Sequence, residues 1–193
     1  MNRRRPLALL FTDISRSTAL SASLEPEDYA DLLSDLRAAI GRIVEQQSGI
    51  LVRIDGDGAL CAFGYPEPLE AAGRHATLCA LAVHEAAIAI ARRRHLPDFA
   101  LHSGIHAGLV LVREGDVVRG RIEVLGDATN IAARLCDAAN SGEILVSSAA
   151  LSGDAAMFEF ADRRVMTLAG VEQPLVVHSV LCAKPVQNLA SIN

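Results

Sequence analysis

The sequence predicts an α+β domain: a mixed, mainly antiparallel sheet with helices packed on its faces. Three observations carry this. Short apolar runs of strand length are interspersed with longer stretches of helical periodicity. Two strand-like runs meet across Asp55-Gly56-Asp57-Gly58, a hairpin signal. The order of elements also lacks the strict strand–helix–strand repetition of a parallel sheet. The 193 residues fit one ordinary domain. With 51% hydrophobic and 21% charged residues, and a mean hydropathy of +0.28, a sizeable core is within reach and disorder is excluded as the main state.

The elements follow in order. Leu7 to Thr12 is an apolar run closed by Asp13, which predicts a buried strand. Residues 1–6, with Arg3-Arg4-Arg5, read as a solvated tail. Their basic-then-apolar start is superficially like a signal peptide, but Asp13 ends the run early and no small-residue cleavage site follows. Ser15 to Ser23 is a Ser/Thr-rich loop or helix start. From Pro26 to about Gln47, Tyr29, Leu32, Leu33, Leu36, Ile40, Ile43 and Val44 recur at helical spacing behind an acidic first turn, and Gly49 stops the helix. Ile50 to Ile54 and Ala59 to Phe63 form the hairpin. Pro68 to Arg94 predicts a long Ala-rich helix, ended by Leu96-Pro97. Phe99 to Val112 reads as a pair of strands interrupted at Gly104 and Gly108, and Arg113 to Arg121 as a charged excursion. A helix over Asp127 to Ala139, a strand over Glu143 to Ser147 and strands around Phe158–Leu168 and Leu175–Leu181 complete the chain.

Composition removes several functions. The net charge is −5 with a pI near 5.6, so no global basic field would hold nucleic acid. Aromatic residues are 4% with no Trp, too few for a base-stacking platform. The apolar stretches are too short, or too interrupted, to span a bilayer, so no membrane partner is expected. Cys61, Cys79, Cys136 and Cys182 lie far apart without CxxC pairing, which predicts buried free thiols in a reducing cytoplasm rather than zinc ligands or disulfides.

Two carboxylates stand where chemistry needs them. Asp13 ends a strand before a Ser/Thr loop, and Asp57 sits at a Gly-flanked hairpin tip. Hard cations take oxygen ligands, and carboxylates on adjacent turns can hold two metals roughly 3.5–4 Å apart. The loop Ser15-Arg16-Ser17-Thr18 could turn backbone N–H groups onto phosphates. Each Asp alone is more often structural, capping a helix or shaping a turn. The acidic spacing of an EF-hand is missing after Asp57, and the hairpin argues against the parallel fold of a phosphoacceptor domain. Asn130 and Arg134, spaced i, i+4, project from one helix face opposite the apolar Ile131 and Leu135. An amide beside a guanidinium suits a ribose and a phosphate; a solvated helix face is the common alternative for such a pair, but the apolar opposite face leaves this one pointed somewhere specific. Of the six His, His102 and His106 share one strand, and no carboxylate spacing completes a metal triad around them.

The chain resembles the catalytic domain of the class III nucleotidyl cyclases, the adenylate and guanylate cyclase family. The stretches that carry the resemblance are Phe11-Thr12-Asp13-Ile14 with Ser17-Thr18, VRIDGDGALCAFG over residues 52–64, SGIHAG over 103–108, VLGDATNIAARL over 124–135, GEILVS over 142–147 and the closing residues 168–180. It covers residues 7–182, leaving tails at 1–6 and 183–193. It implies a cyclase-type sandwich with a ferredoxin-like core, and a cytoplasmic homodimer with two shared active sites. Asp13 and Asp57, with the carbonyl of Ile14, would hold two Mg²⁺ or Mn²⁺ ions. Ser15, Ser17 and Thr18 would face the phosphates. Asn130 of the partner subunit would orient the ribose, and Arg134 of the partner subunit would stabilise charge on the α-phosphate. The implied reaction is in-line attack of the ribose 3′-oxygen on the α-phosphorus of a nucleoside triphosphate, with pyrophosphate leaving.

Two positions depart from the family. Arg53 stands where relatives read adenine with Lys, and Glu123 where they carry Asp or Thr. A donor plus an acceptor suits adenine N1 and the 6-amino group, so ATP is favoured. Cytosine offers a similar edge, some bacterial relatives make cyclic pyrimidine nucleotides, and a turned guanine also pairs, so CTP, UTP and GTP are alternatives. A further alternative is that Arg53 and Glu123 simply pair with each other. Ala169 replaces a Lys that often binds phosphate, so either Arg163 or Arg164 compensates or triphosphate affinity is reduced. A catalytically silent dimeric nucleotide sensor is the rival from another class.

Overall fold

The computed structural model describes residues 2–114 and 122–185. Strands β1 (Asn2–Ile14), β2 (Gly49–Asp55), β3 (Gly58–Phe63), β4 (Leu101–Glu114), β5 (Ile122–Leu125), β6 (Ile144–Ser147), β7 (Phe158–Met166) and β8 (Leu175–Ala183) form one sheet in the order β2-β3-β1-β4-β6-β8-β7, with β5 paired to β4. Among the described residues every strand pairing is antiparallel except β4 with β6. Helices α1 (Ser17–Ser23), α2 (Pro26–Gln46), α3 (Ala72–Arg94), α4 (Asp127–Ala138) and α5 (Ser148–Leu151) accompany the sheet among the described residues, with a 3₁₀ turn at Ala155–Met157. The expected sheet-and-helix sandwich is what forms.

Alternation along β1 distributes the core between two faces. Ala8 and Leu10 join Leu32, Leu36 and Ile40 of α2 and Ala76, Ala80 and Val83 of α3. Leu7 and Leu9 join Ala128 and Ala132 of α4. By the same alternation Asp13 belongs to the α4 face. On the α3 face a polar chain is satisfied internally: His84 Nε2 meets Ser103 Oγ at 2.8 Å, and Ser103 Oγ donates to Thr12 Oγ1 at 2.9 Å. Burial, aided by the charge of His102, lowers His84 to about 4, so it is neutral.

Several expectations need correcting. β1 begins at Asn2, not Leu7: Arg3, Arg4 and Arg5 pair with Val112, Leu111 and Val110 of β4, so the N-terminal tail is strand. Residues 101–114 are one strand, not two. Gly104 and Gly108 do not break it; they let α4 lie close. A Cβ on Gly104 would sit 2.1 Å from the Cys136 nitrogen, and one on Gly108 would sit 2.9 Å from Ala128 Cβ. The long helix starts at Ala72 rather than Pro68, because Ala71 takes a left-handed conformation (φ 52°) that breaks the run. Most of the charged excursion, 115–121, lies outside the described residues, as do residues 186–193 of the expected C-terminal tail.

Candidate active site

Asp57 is placed by a two-residue loop. Asp55 and Gly58 face each other across the hairpin, so Gly56 and Asp57 form its tip. Gly56 takes φ 60° at the first loop position, as a type II′ turn requires. Thr12 faces Ala59 in the β1–β3 register, which brings Gly58 against Asp13. A Cβ on Gly58 would already touch Asp13 Cγ and Oδ1 at 3.4 Å. The two carboxyls meet there.

Their proximity has an electrostatic signature. Burial first, then the charge of Asp57, lifts Asp13 to about 6, only partly offset by the Ile14 N–H that donates to Asp13 Oδ1 at 2.9 Å. A hydrogen bond with Asp57 and the charge of Asp137 push the same way. Two like charges held together in a half-buried place ask for a cation. Among the described residues no group of three or more His, Cys, Asp or Glu could hold a metal. The donor set is therefore two carboxylates and nearby backbone carbonyl oxygen. That suits Mg²⁺ or Mn²⁺, which take one or two carboxylates and fill the remainder from water and substrate phosphate.

Ser15 turns elsewhere. It is 7% exposed; its N–H donates to the Ala100 carbonyl at 2.9 Å, and its Oγ lies 3.0 Å from His102 Nδ1. Its N–H is thus committed to the Ala100 carbonyl, while the direction of the Ser15–His102 hydrogen bond follows the imidazole tautomer. Ser17 and Thr18 open the first turn of α1, directly after the Asp13 loop. His102, opposite Asp13 in the β1–β4 register, is lowered by burial against the opposing charges of Asp137 and Asp57.

Arg53 and Glu123 are not partners of each other. Arg53 Nε sits 2.8 Å from Asp55 Oδ2, and Glu123 Oε2 sits 3.3 Å from Arg113 Nη1, its neighbour across the β4–β5 ladder. Arg164 is engaged by Glu143 and by Asp162, at 3.3 Å from the latter.

Asn130 and Arg134 do lie together on α4. They line a hollow with Met166, Leu168 and Ala169, where the Arg134 guanidinium packs beside Gly170, a residue at φ +71°. Asp13 lines a different cavity, with Arg53, Asp55, Ala133 and Asp137. That cavity is about 180 Å³. Ligand pockets start near 300 Å³, so it is too small for a nucleoside triphosphate. Sequence reading missed Asp137, which borders both hollows; its place three residues after Arg134, on the same helix face, was the available signal.

Known proteins share this arrangement of elements. A family model described as the adenylate and guanylate cyclase catalytic domain matches residues 1–181. The chain is 31% identical over 136 residues to adenylate cyclase 1 of Rhizobium meliloti (strain 1021), covering 68% of this chain and 20% of that protein. It is 34% identical over 191 residues to an uncharacterized protein of Mycobacterium tuberculosis (strain ATCC 25618 / H37Rv), covering 94% of this chain and 33% of that protein. The chain thus spans about a third of that relative's length. Its fold superposes on the guanylyl cyclase Cya2 with a TM-score of 0.88, at 24% identity over 96% of each chain. On the adenylyl cyclase CyaB from P. aeruginosa the TM-score is 0.87, at 24% identity over 95% of this chain and 97% of that one.

Proposed function

The chain belongs to the adenylate and guanylate cyclase catalytic-domain family, and on that premise we propose that two copies together convert a nucleoside triphosphate, ATP by preference, into a 3′,5′-cyclic nucleotide and pyrophosphate. The observation that carries this reading is the meeting of Asp13 and Asp57 at Gly58, an oxygen-rich place for a cation, where burial and then the charge of Asp57 raise the Asp13 carboxyl to about 6. Asp13, Asp57 and the carbonyl of Ile14 are the residues to hold Mg²⁺ or Mn²⁺. When bound, the ions supply Lewis-acid polarisation of the ribose 3′-oxygen and neutralise triphosphate charge.

The chain's own side chains supply position and charge. The amide of Asn130 orients the ribose, so that the 3′-oxygen stands in line with the α-phosphorus. The Arg134 guanidinium stabilises the charge that grows on the α-phosphate oxygens. A bond forms between the 3′-oxygen and phosphorus, the bond to the bridging oxygen breaks, the 3′-hydroxyl proton passes to solvent, and pyrophosphate departs. Asn130 and Arg134 line a different hollow from Asp13, and the Asp13 cavity cannot enclose a nucleotide. Both facts favour a site that Asn130 and Arg134 of the partner subunit complete. For the base, Arg53 donates and Glu123 accepts once their solvent-exposed ion pairs with Asp55 and Arg113 give way, the polarity that adenine N1 and its 6-amino group need.

Incubating the pure protein with Mn²⁺ and each of ATP, GTP, CTP and UTP, then separating products, tests the proposal. Cyclic AMP should be the main product. A protein that binds nucleotide but yields no cyclic product from any of the four is the silent sensor instead.

A further inference from the structure

We propose that Arg37 of α2 is a positioning residue of the candidate metal site, fixing the hairpin tip that carries Asp57. The inference rests on reading Asp13 and Asp57 as metal ligands, and it adds a residue from outside both strands. Arg37 Nη2 donates to the Gly56 carbonyl at 2.6 Å. That bond is short and charge-assisted, the strong kind. Its helix is a firm base, because Leu32, Leu36 and Ile40 on the same element are at most 2% exposed in the core.

The tip needs such an anchor. Gly56 has nothing within 4 Å of where a Cβ would stand, so no side-chain packing holds it. The like charge of Asp13 pushes on Asp57 whenever no cation lies between them. A backbone free to swing would take Asp57 away from Asp13 and raise the entropic cost of gathering ligands around an ion. Arg37 opposes that swing through the carbonyl next to Asp57, and its positive charge sits beside the tip. A second residue of α2 faces the same charges: burial, followed by the charges of Asp57 and Asp13, raises the Tyr29 phenol, while Arg37 acts in the other direction.

The test uses the full chain as wild type, Arg37→Ala, Arg37→Lys and Asp57→Asn. Mn²⁺ binding without nucleotide is read from the free-ion EPR signal, and tip mobility from amide hydrogen exchange over residues 55–59. Arg37 is an exposed side chain, so circular dichroism should find the variants folded. Arg37→Ala should bind Mn²⁺ about tenfold more weakly, the scale of one hydrogen bond to a charged group, and should exchange faster at the tip alone. The Mn²⁺ concentration for half-maximal turnover should rise by the same factor, with a smaller change in maximal rate. Arg37→Lys should recover part of each effect. If wild type binds Mn²⁺ in an Asp57-dependent way and Arg37→Ala matches it in affinity and exchange, the positioning role is overturned. If Asp57→Asn leaves Mn²⁺ binding intact, the metal reading falls and the proposal with it. A wild type that binds Mn²⁺ through Asp57 but forms no cyclic nucleotide sinks the proposed activity and leaves the role of Arg37 standing.

Discussion

Replacing Asp13 with Asn should stabilise the metal-free protein at neutral pH. Burial and the charge of Asp57 raise the Asp13 carboxyl from the usual 3.8 to about 6. Between those values the folded state keeps a proton that the unfolded chain has released. The wild type therefore loses stability as pH climbs from about 4 through about 6. A rise of this size corresponds to roughly 3 kcal/mol. The carboxyl is only half-buried, and solvent screening reduces the figure to about 1 kcal/mol. Asn keeps the shape and the acceptor for the Ile14 N–H while removing the charge. Guanidinium melts in EDTA at pH 4 and pH 7.5 measure the effect. The advantage of Asp13→Asn over wild type should grow by about 1 kcal/mol between them. Adding Mn²⁺ at pH 7.5 should reverse the order, since only the wild type gains ligand-binding free energy. An Asn variant whose advantage is the same at both pH values, or absent at pH 7.5, refutes the electrostatic account of this site.

Four further outcomes follow from the geometry. Asp13→Ala and Asn130→Ala, each inactive alone, should together regain roughly a quarter of wild-type turnover when co-expressed at equal amounts, because half the dimers are mixed and each has one intact site; a purified doubly tagged dimer no more active than its parents would sink the shared site. Arg53→Ala and Glu123→Ala should change the ranking of ATP, GTP, CTP and UTP more than the metal requirement, and an unchanged ranking in product assays removes both from base reading. Gly104→Ala should cost about 2 kcal/mol or more in urea melts, since its Cβ would sit 2.1 Å from the Cys136 nitrogen of α4. His84→Gln should flatten the loss of stability as pH falls from 6.5 through about 4, because the wild type keeps this imidazole neutral in the fold while the unfolded chain takes up a proton; equal acid slopes would contradict that.

What the sequence revealed about the site depended on distance along the chain. The Asp55–Gly58 hairpin is a local pattern and formed as read, and the apolar run before Asp13 did become strand, within a longer one from Asn2 to Ile14. Asn130 and Arg134 shared a helix face for the same reason. Gly104 and Gly108 misled because a glycine that admits a crossing helix looks, in a local window, like one that ends a strand. Arg3 to Arg5 looked like a tail because their β4 partners, Val110 to Val112, lie more than a hundred residues away. The bond from Arg37 to Gly56 and that between Ser15 and His102 join separate elements, so no residue pattern announces them. Even the fate of Arg53 and Glu123 was decided by neighbours: the nearest charges, Asp55 and Arg113, took them before they could meet.

The separation of Asn130 and Arg134 from the Asp13 cavity bears on how output scales in a cell. If neither copy is complete alone, the number of working sites follows mass action. Well below the dissociation constant of the dimer it grows with the square of chain concentration, so halving expression cuts product formation about fourfold. Above that constant the same change only halves it. Tethering two chains by any flanking segment raises their effective concentration to the millimolar range and removes this sensitivity. Gain would then be set by whatever holds the copies together, without a single contact to the nucleotide.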